Sequence, residues 1–281
     1  MTHDAQKPPI RMGRFAPLWR RLASRFFANR FFRRRVATPW GAFDAYVTPG
    51  SHLAVLRPTG VRIEQVHLRF IDRWVEPNSV VWDVGANMGL FAFPAALKAK
   101  AGHVYCFEPD CELAAALLRS LRRPRNAVLK VTVAPLALSD RNGIASFLIA
   151  AYGRAMNKLE GLGPWHDHLY VASERRIVAT ARIDGVVSAL APPSVIKIDV
   201  EGAEMLVLDG GRATIAARRP VMLIEGPEGL APALNAFLKE LDYVMLDGAQ
   251  DGFPRLASAG WDTVAVPREK WEAEQRTPGA P

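Results

Sequence analysis

The sequence predicts an α/β protein: a mostly parallel sheet with helices on both faces. Three observations predict it. From Ser79 onward, short apolar runs alternate with segments of helical period. The runs are apolar at odd and even positions alike, as in strands covered on both sides. Their carboxyl ends carry acids beside glycines and turn residues, where sheets of this kind bind ligands.

The chain has 281 residues, enough for one large α/β domain with an appendage. It is 49% hydrophobic and 23% charged, the composition of an ordinary soluble globular protein. Its two cysteines, Cys106 and Cys111, make no disulfide framework and suit a reducing compartment. Both read as small buried apolar residues. The net charge is +8, and residues 1–36 alone carry ten Lys/Arg and one acid, or +9, leaving −1 for residues 37–281. A body with that sum does not point to nucleic acid. No uncharged apolar run approaches the ~20 residues of a spanning helix, and no signal peptide is visible, so the chain reads as cytoplasmic.

Residues 1–36 form a basic arm. Residues 1–13 are polar and predict disorder. Residues 14–35, "RFAPLWRRLASRFFANRFFRRR", predict a helix, with Phe15, Leu18, Trp19, Leu22 and Phe26 on one face. Such a helix suits docking on the protein's own body or peripheral contact with an anionic membrane surface. Residues 37–78 read as a cap. Turn signals over 38–60 leave room for two short strands, and "EQVHLRFIDRWV" (64–75) reads as a helix ended by "EPNS".

The main domain spans 79–270. "SVVWDV" (79–84) is a strand. "LFAFPAALKAK" (90–100) is a helix that tolerates Pro94 in its first turn. "HVYCFE" (103–108) is a strand, "CELAAALLRSLRR" (111–123) a helix and "AVLKVTV" (127–133) a strand. Residues 144–182 break the rhythm and predict an inserted hairpin with a long loop, suited to shaping an acceptor pocket. "SVIKIDV" (194–200) is a strand, "EMLVLDGGRATIAAR" a helix, "PVMLIEG" (220–226) a strand, "APALNAFLKEL" a helix, and "DYVMLD" and "DTVAVP" strands. Residues 271–281 predict a flexible tail.

Asp83 ends the first of these strands and opens the loop "DVGANMG", with Gly85, Ala86, Asn87 and Gly89. Glycines there let a ligand approach the backbone, and the helix that follows favours an anion at its N-terminus. Glu108 ends the next strand, where an acid can accept from ribose hydroxyls. Ser139 and Asp140 lie in the third connection; Asp199, Glu201 and Glu204 follow "KI"; Glu225 ends "PVMLIE". Lys197 is placed to pair with a nearby acid. The spacing G-A-N-M-G puts Asn87 where the dinucleotide fingerprint has its second glycine, which disfavours a pyrophosphate. S-adenosylmethionine, an adenosine joined to an amino acid, suits the loop and Glu108 better.

The stretches "VVWDVGANMGLFAFPAA", "VYCFEPD", "LALSDRNG" and "VIKIDVEGAEMLVLDGG" resemble FkbM-type S-adenosylmethionine-dependent methyltransferases over about residues 60–230. The resemblance implies the class I methyltransferase fold, a Rossmann-like seven-stranded sheet with its last strand antiparallel, here "DTVAVP". It implies methylation of oxygen on a small molecule, sugar, glycan or natural product. Carried over to matching positions, it puts Asp83, Gly85, Ala86, Asn87 and Gly89 on the methionine side and Glu108 on the ribose. Ser139 and Asp140 flank the adenine, and Asp199 and Glu201 lie near the reactive methyl. Asp199 or Glu201 would take or orient the proton of the acceptor hydroxyl. Asp199 with Glu225 offers a lesser alternative, a Mg²⁺ site, and no residue is assigned to metal. His166 and His168, in "PWHDH", are candidates for a base or for binding a metal, or are loop residues near the substrate. Two readings of other classes stand beside this one: a Rossmann-like oxidoreductase, which lacks its glycine fingerprint here, and a non-catalytic S-adenosylmethionine-binding protein.

Overall fold

The computed structural model describes residues 30–49, 61–150, 154–162 and 171–276. A hairpin comes first, β1 (Phe32–Thr38) and β2 (Gly41–Val47), followed by α1 (Gln65–Trp74). The domain proper runs β3 (Val80–Val84), α2 (Ala92–Lys98), β4 (His103–Phe107), α3 (Cys111–Leu121) and β5 (Val131–Ala134). Strand β6 (Ala137–Leu138) leads into the insertion, which holds β7 (Gly143–Ala150), β8 (Lys158–Leu159) and β9 (Ala172–Ala181), with α4 (Ile183–Val186) after it. The second half is β10 (Val195–Ile198), α5 (Glu204–Gly210), α6 (Arg212–Arg218), β11 (Val221–Glu225), α7 (Ala231–Glu240), β12 (Tyr243–Asp247), β13 (Asp262–Pro267) and α8 (Arg268–Arg276).

Seven strands form the central sheet in the order β12-β13-β11-β10-β3-β4-β5. The pairs from β11 to β5 are parallel, while β13 runs antiparallel to both β11 and β12. This is the class I methyltransferase arrangement, with "DTVAVP" as the reversed strand. The period of two explains the layers. Val81, Val195, Val221 and Leu223 face a core shared with Phe43, Phe70, Phe93 and Leu117. Their neighbours Trp82, Ile196, Met222 and Ile224 face a second core with Leu208, Ile215 and Phe237. The central strands β3, β10 and β11 are therefore buried on both sides, and the free carboxyl ends of the parallel strands are where polar chemistry collects.

Strand β7 pairs antiparallel with β9 from Gly143–Thr180 onward, in a four-stranded sheet ordered β6-β9-β7-β8.

Several expectations are corrected. Residues 32–35 are strand, not helix: β1 alternates Phe32, Arg34 and Val36 against exposed Arg33 and Arg35, a period of two that the arginine run disguises. The rest of the predicted arm helix lies outside the described residues. Strand β1 crosses the arm–cap boundary at 36/37; β2 falls within 38–60, and residues 50–60, expected to hold a second strand, lie outside the described residues. Strand β5 starts at Val131, because Pro124–Asn126 form a helical turn. The helix over 204–218 is two, hinged at Gly211, where a Cβ would meet Ile183 at 2.9 Å. Residues 271–276, expected in a flexible tail, continue α8, whose Trp271 packs on the core. Cys106 is buried, but Cys111 is exposed, with its Sγ 3.5 Å from an Arg176 nitrogen. Among the described residues no helix is long and apolar enough to cross a membrane.

Candidate active site

An open cleft lies at the carboxyl ends of β3, β4 and β10. Val84, Gly85, Asn87, Phe107 and Glu108 line it from β3 and β4, and Asp199, Val200 and Glu201 from β10. The insertion contributes Phe147, Arg154, Asn157 and Leu159.

The glycine loop is shaped by backbone geometry. Gly85 (φ +81°) and Gly89 (φ +78°) occupy conformations that favour glycine, and Asn87 (φ 49°) is left-handed as well. The space that their missing Cβ atoms leave is used by the protein, not kept for a ligand. A Cβ on Gly85 would stand 1.9 Å from the Asp199 carbonyl oxygen, and one on Gly89 would strike Leu117 and Phe93 within 3 Å. The glycines thus let the loop cross the end of β10 and seat on α3. Ala86 is buried, and its N–H and that of Gly85 donate to the Phe107 carbonyl at 3.2 and 2.9 Å.

Glu108 is buried at the end of β4. It accepts the Asn87 N–H at Oε2 and the Asp110 N–H at Oε1, both at 2.8 Å. Burial pushes its carboxyl up to about 8, against the pull of the two N–H donors. The carboxylate is thereby aimed, with lone pairs left over on the cleft side.

Asp83 has no exposed surface, and neither of its carboxylate oxygens has a hydrogen-bond partner. Its pKa rises to about 6, first from desolvation, opposed by Lys197 and His67. Lys197, from buried β10, donates to Asp199 Oδ2 at 2.8 Å and lies 3.9 Å from Asp83 Oδ1 and 3.5 Å from the Gly85 carbonyl. Burial lowers its pKa, but the three carboxylates Asp199, Asp83 and Glu225 more than reverse that. The ion pair expected of Lys197 is therefore present. Burial raises the Asp199 carboxyl, against Lys197. Glu201 (φ 55°) stands at the open mouth of the cleft; desolvation and then repulsion from Asp199, Glu204 and Glu225 raise its pKa. Glu204, at the first position of its helix, folds back to hold the loop before it by accepting the Val200 and Gly202 N–H groups.

Asp83 and Glu108 carry a pH prediction. An acid whose folded pKa lies above its unfolded value contributes stability in full below the unfolded value and loses it as pH climbs through the folded one. The windows run from 3.8 to about 6 for Asp83 and from 4.5 to about 8 for Glu108. Ligand-free protein should melt at progressively lower temperature across those windows as pH rises, and Glu108→Gln should flatten the upper one. Calorimetric melts at a series of pH values check this.

Ser139 and Asp140 lie beside the cleft but do not line it; Ala137 and Leu138 do. Ser139 donates to Asp140, and Asp140 pairs with Arg141 at 3.3 Å. The turn they form turns the adenine-side expectation from these side chains to Ala137 and Leu138. Glu225 does not close a metal site with Asp199: His67 Nε2 lies 2.6 Å from Glu225 Oε1, and Lys197 occupies Asp199. Among the described residues no cluster of three or more candidate ligands is present. His166 and His168 lie outside the described residues.

Three participants escaped the sequence reading: Arg154, Asn157 and His67. Arg154 and Asn157 donate to Asp110 Oδ2 at 2.8 and 3.0 Å, and Arg176 to Asp110 Oδ1 at 2.8 Å. Asp110 thus ties the insertion to the residue whose N–H holds Glu108. Only its place in "FEPD" hinted at this. His67 on α1 reaches Glu225 across 158 residues.

The donor set fits an adenosyl amino acid. Glu108 offers lone pairs for a diol and Asn87 Oδ1 is buried without a partner, whereas Asp83, fully buried and 3.9 Å from Lys197 Nζ, lies behind the loop and does not line the cleft. Sheet order and strand-end acids together define an α/β protein of the methyltransferase class. The Methyltransferase FkbM domain profile matches residues 83–245, and the chain belongs to that family. It is 30% identical over 173 residues to the hexuronic acid methyltransferase AglP of Haloferax volcanii, covering 60% of this chain and 64% of that one. It is 28% identical over 171 residues to the 2-O-methyltransferase NoeI of Sinorhizobium fredii, covering 55% and 66%. The chain thus spans just under two thirds of the length of these relatives. Among solved structures, the FkbM methyltransferase of Methylobacillus flagellatus KT is similar at 19% identity and a TM-score of 0.45, over 82% of this chain and 48% of that one.

Proposed function

We propose that the chain transfers a methyl group from S-adenosylmethionine to a hydroxyl of a sugar, glycan or related small molecule. The observation that carries this is Glu108, aimed into the cleft by two backbone N–H groups, with Asp199 and Glu201 on the facing strand end. The printed names of the two relatives, a hexuronic acid and a 2-O-methyltransferase, favour a sugar hydroxyl. The two unpaired cysteines suit a reducing compartment.

In this reading Glu108 accepts the ribose hydroxyls and Asn87 receives the polar amino-acid end, with the Asp83 carboxylate acting from behind the loop. Ala137 and Leu138 offer an apolar wall to the adenine. When bound, the donor supplies an activated methyl on a sulfonium. The protein's work is alignment of the acceptor and removal of its proton. Asp199 is the better base: its burial raises its proton affinity, against the pull of Lys197, which donates to it at 2.8 Å and fixes its orientation. Glu201 at the mouth orients the acceptor.

Calorimetric titration with S-adenosylhomocysteine, and in parallel with NADH, tests the cofactor; labelled donor offered with sugars and sugar acids tests the transfer. Binding of S-adenosylhomocysteine alone, followed by label on an acceptor hydroxyl, is the expected result. Tight NADH binding would overturn the reading, and donor binding without transfer to any acceptor would favour a non-catalytic role. Asp199→Asn should keep S-adenosylhomocysteine binding while slowing turnover by roughly 10²–10⁴. Full turnover in that variant would remove Asp199 from the proton's path.

A further inference from the structure

The charge of −1 over residues 37–281 conceals a separation. Residues 118–130 carry Arg119, Arg122, Arg123, Arg125 and Lys130 and no acid; setting aside their +5 leaves −6 for the remainder. They occupy the C-terminal end of α3 and the turn after it. The fold brings the arginines of β1 to the same place. Ser120 Oγ accepts the Tyr46 N–H at 2.8 Å and Asn126 Oδ1 the Asp44 N–H at 3.0 Å, fastening the end of α3 to β2. Arg33 and Arg35 stand directly across the hairpin from Tyr46 and Asp44. The Arg119 guanidinium lies 3.9 Å from the centre of the Tyr46 ring.

Arg33, Arg35, Arg119, Arg122 and Arg125 are all exposed on this face. The one acid of residues 30–49 and 118–130 is Asp44, which lies 3.9 Å from Arg125. Two apolar side chains stand out in the same segment: Val128 is 77% exposed and Leu118 42%. Six further Lys/Arg precede Arg30 in the sequence that leads into β1.

We propose that this face of the folded body docks on an anionic lipid bilayer. The arginines meet the headgroup charge, and Leu118 and Val128 enter the boundary beneath it, the combination by which proteins lie on membranes without crossing them. A nucleic acid would draw on the same charge, but single strands are gripped by open aromatic faces. The ring available here, Tyr46, is covered by Arg119. Docking also sets the reach of the cleft. Leu113 near the start of α3 lines it, and the eleven residues of that helix span about 16 Å, so the cleft opens within that order of distance from the bilayer.

The test uses the full chain and vesicles of phosphatidylcholine, with and without phosphatidylglycerol, at low and high salt. Co-sedimentation with the anionic vesicles alone, weakened by salt, is expected. Arg33→Gln/Arg35→Gln/Arg122→Gln should weaken it on the order of 100-fold, and Val128→Ser should weaken what survives at high salt. Unchanged melting temperatures of these surface variants confirm that they fold. Absence of binding by the parent, or undiminished binding by the triple variant, overturns the proposal; the second result would hand the contact to residues 1–29. Displacement from vesicles by an equal charge of single-stranded DNA overturns it in favour of nucleic acid.

Discussion

Glu108→Ala should lower affinity for S-adenosylhomocysteine at least about 100-fold, the worth of two hydrogen bonds to a charged acceptor. The loss has two sources. The ribose hydroxyls lose their acceptor, and the Asn87 and Asp110 N–H groups that Glu108 holds at 2.8 Å are left without one. The second effect spreads, because Asp110 is the anchor of Arg154, Asn157 and Arg176 in the insertion. Glu108→Gln separates the two. Its amide keeps one acceptor and sets an N–H₂ against a backbone N–H, so it should bind with intermediate affinity. Titration calorimetry with the melting temperature as control reads both variants. Affinity for S-adenosylhomocysteine in Glu108→Ala equal to that of the parent would remove the carboxylate from the cofactor site.

Gly85→Ala should cost about 3 kcal/mol or more of stability, and so roughly 10 °C in melting temperature for a domain of this size. The added methyl would stand 1.9 Å from the Asp199 carbonyl oxygen and 3.3 Å from Val200 Cγ1, and backbone cannot yield as a flexible side chain does. The positive φ adds its own penalty. Gly252→Ala isolates that penalty: its φ is +77°, yet nothing lies within 4 Å of its Cβ. It should cost only about 1 kcal/mol. Similar losses at both positions would mean that the close crossing of β3 and β10 matters less than the loop's conformation.

The alternation that yields the central sheet was legible because both faces of each central strand are buried, so apolar runs carry the signal undiluted. The strand-end acids were legible for the complementary reason: Asp83, Glu108 and Asp199 interrupt those runs where nothing in the core would want a charge. Legibility failed where one face is exposed and charged. The period of two in β1 is written in arginines, and a run of arginines reads equally well as a helix. It failed again for contacts across long separations. His67 meets Glu225 and Arg154 meets Asp110 through the fold's closure, and neither partner's neighbours in sequence announce it. The purpose of the glycines was half read: the need for them was visible, but the atom they make room for is the protein's own carbonyl, not a ligand's.

Strand β13 is hydrogen-bonded to β11 on one side and to β12 on the other, and β12 has no other partner in the sheet. As the chain is synthesised, β12 therefore emerges before the strand that joins it to the sheet. Until Asp262–Pro267 arrives, the edge of β11 stays open and Tyr243–Asp247 is held only by the short bridge of Leu246 to Arg255. The reversed strand acts as a keystone, set last and holding both neighbours. Completion of the sheet waits on a contact that no local segment can make early, the kind of step that slows folding and exposes nascent chains to misassociation.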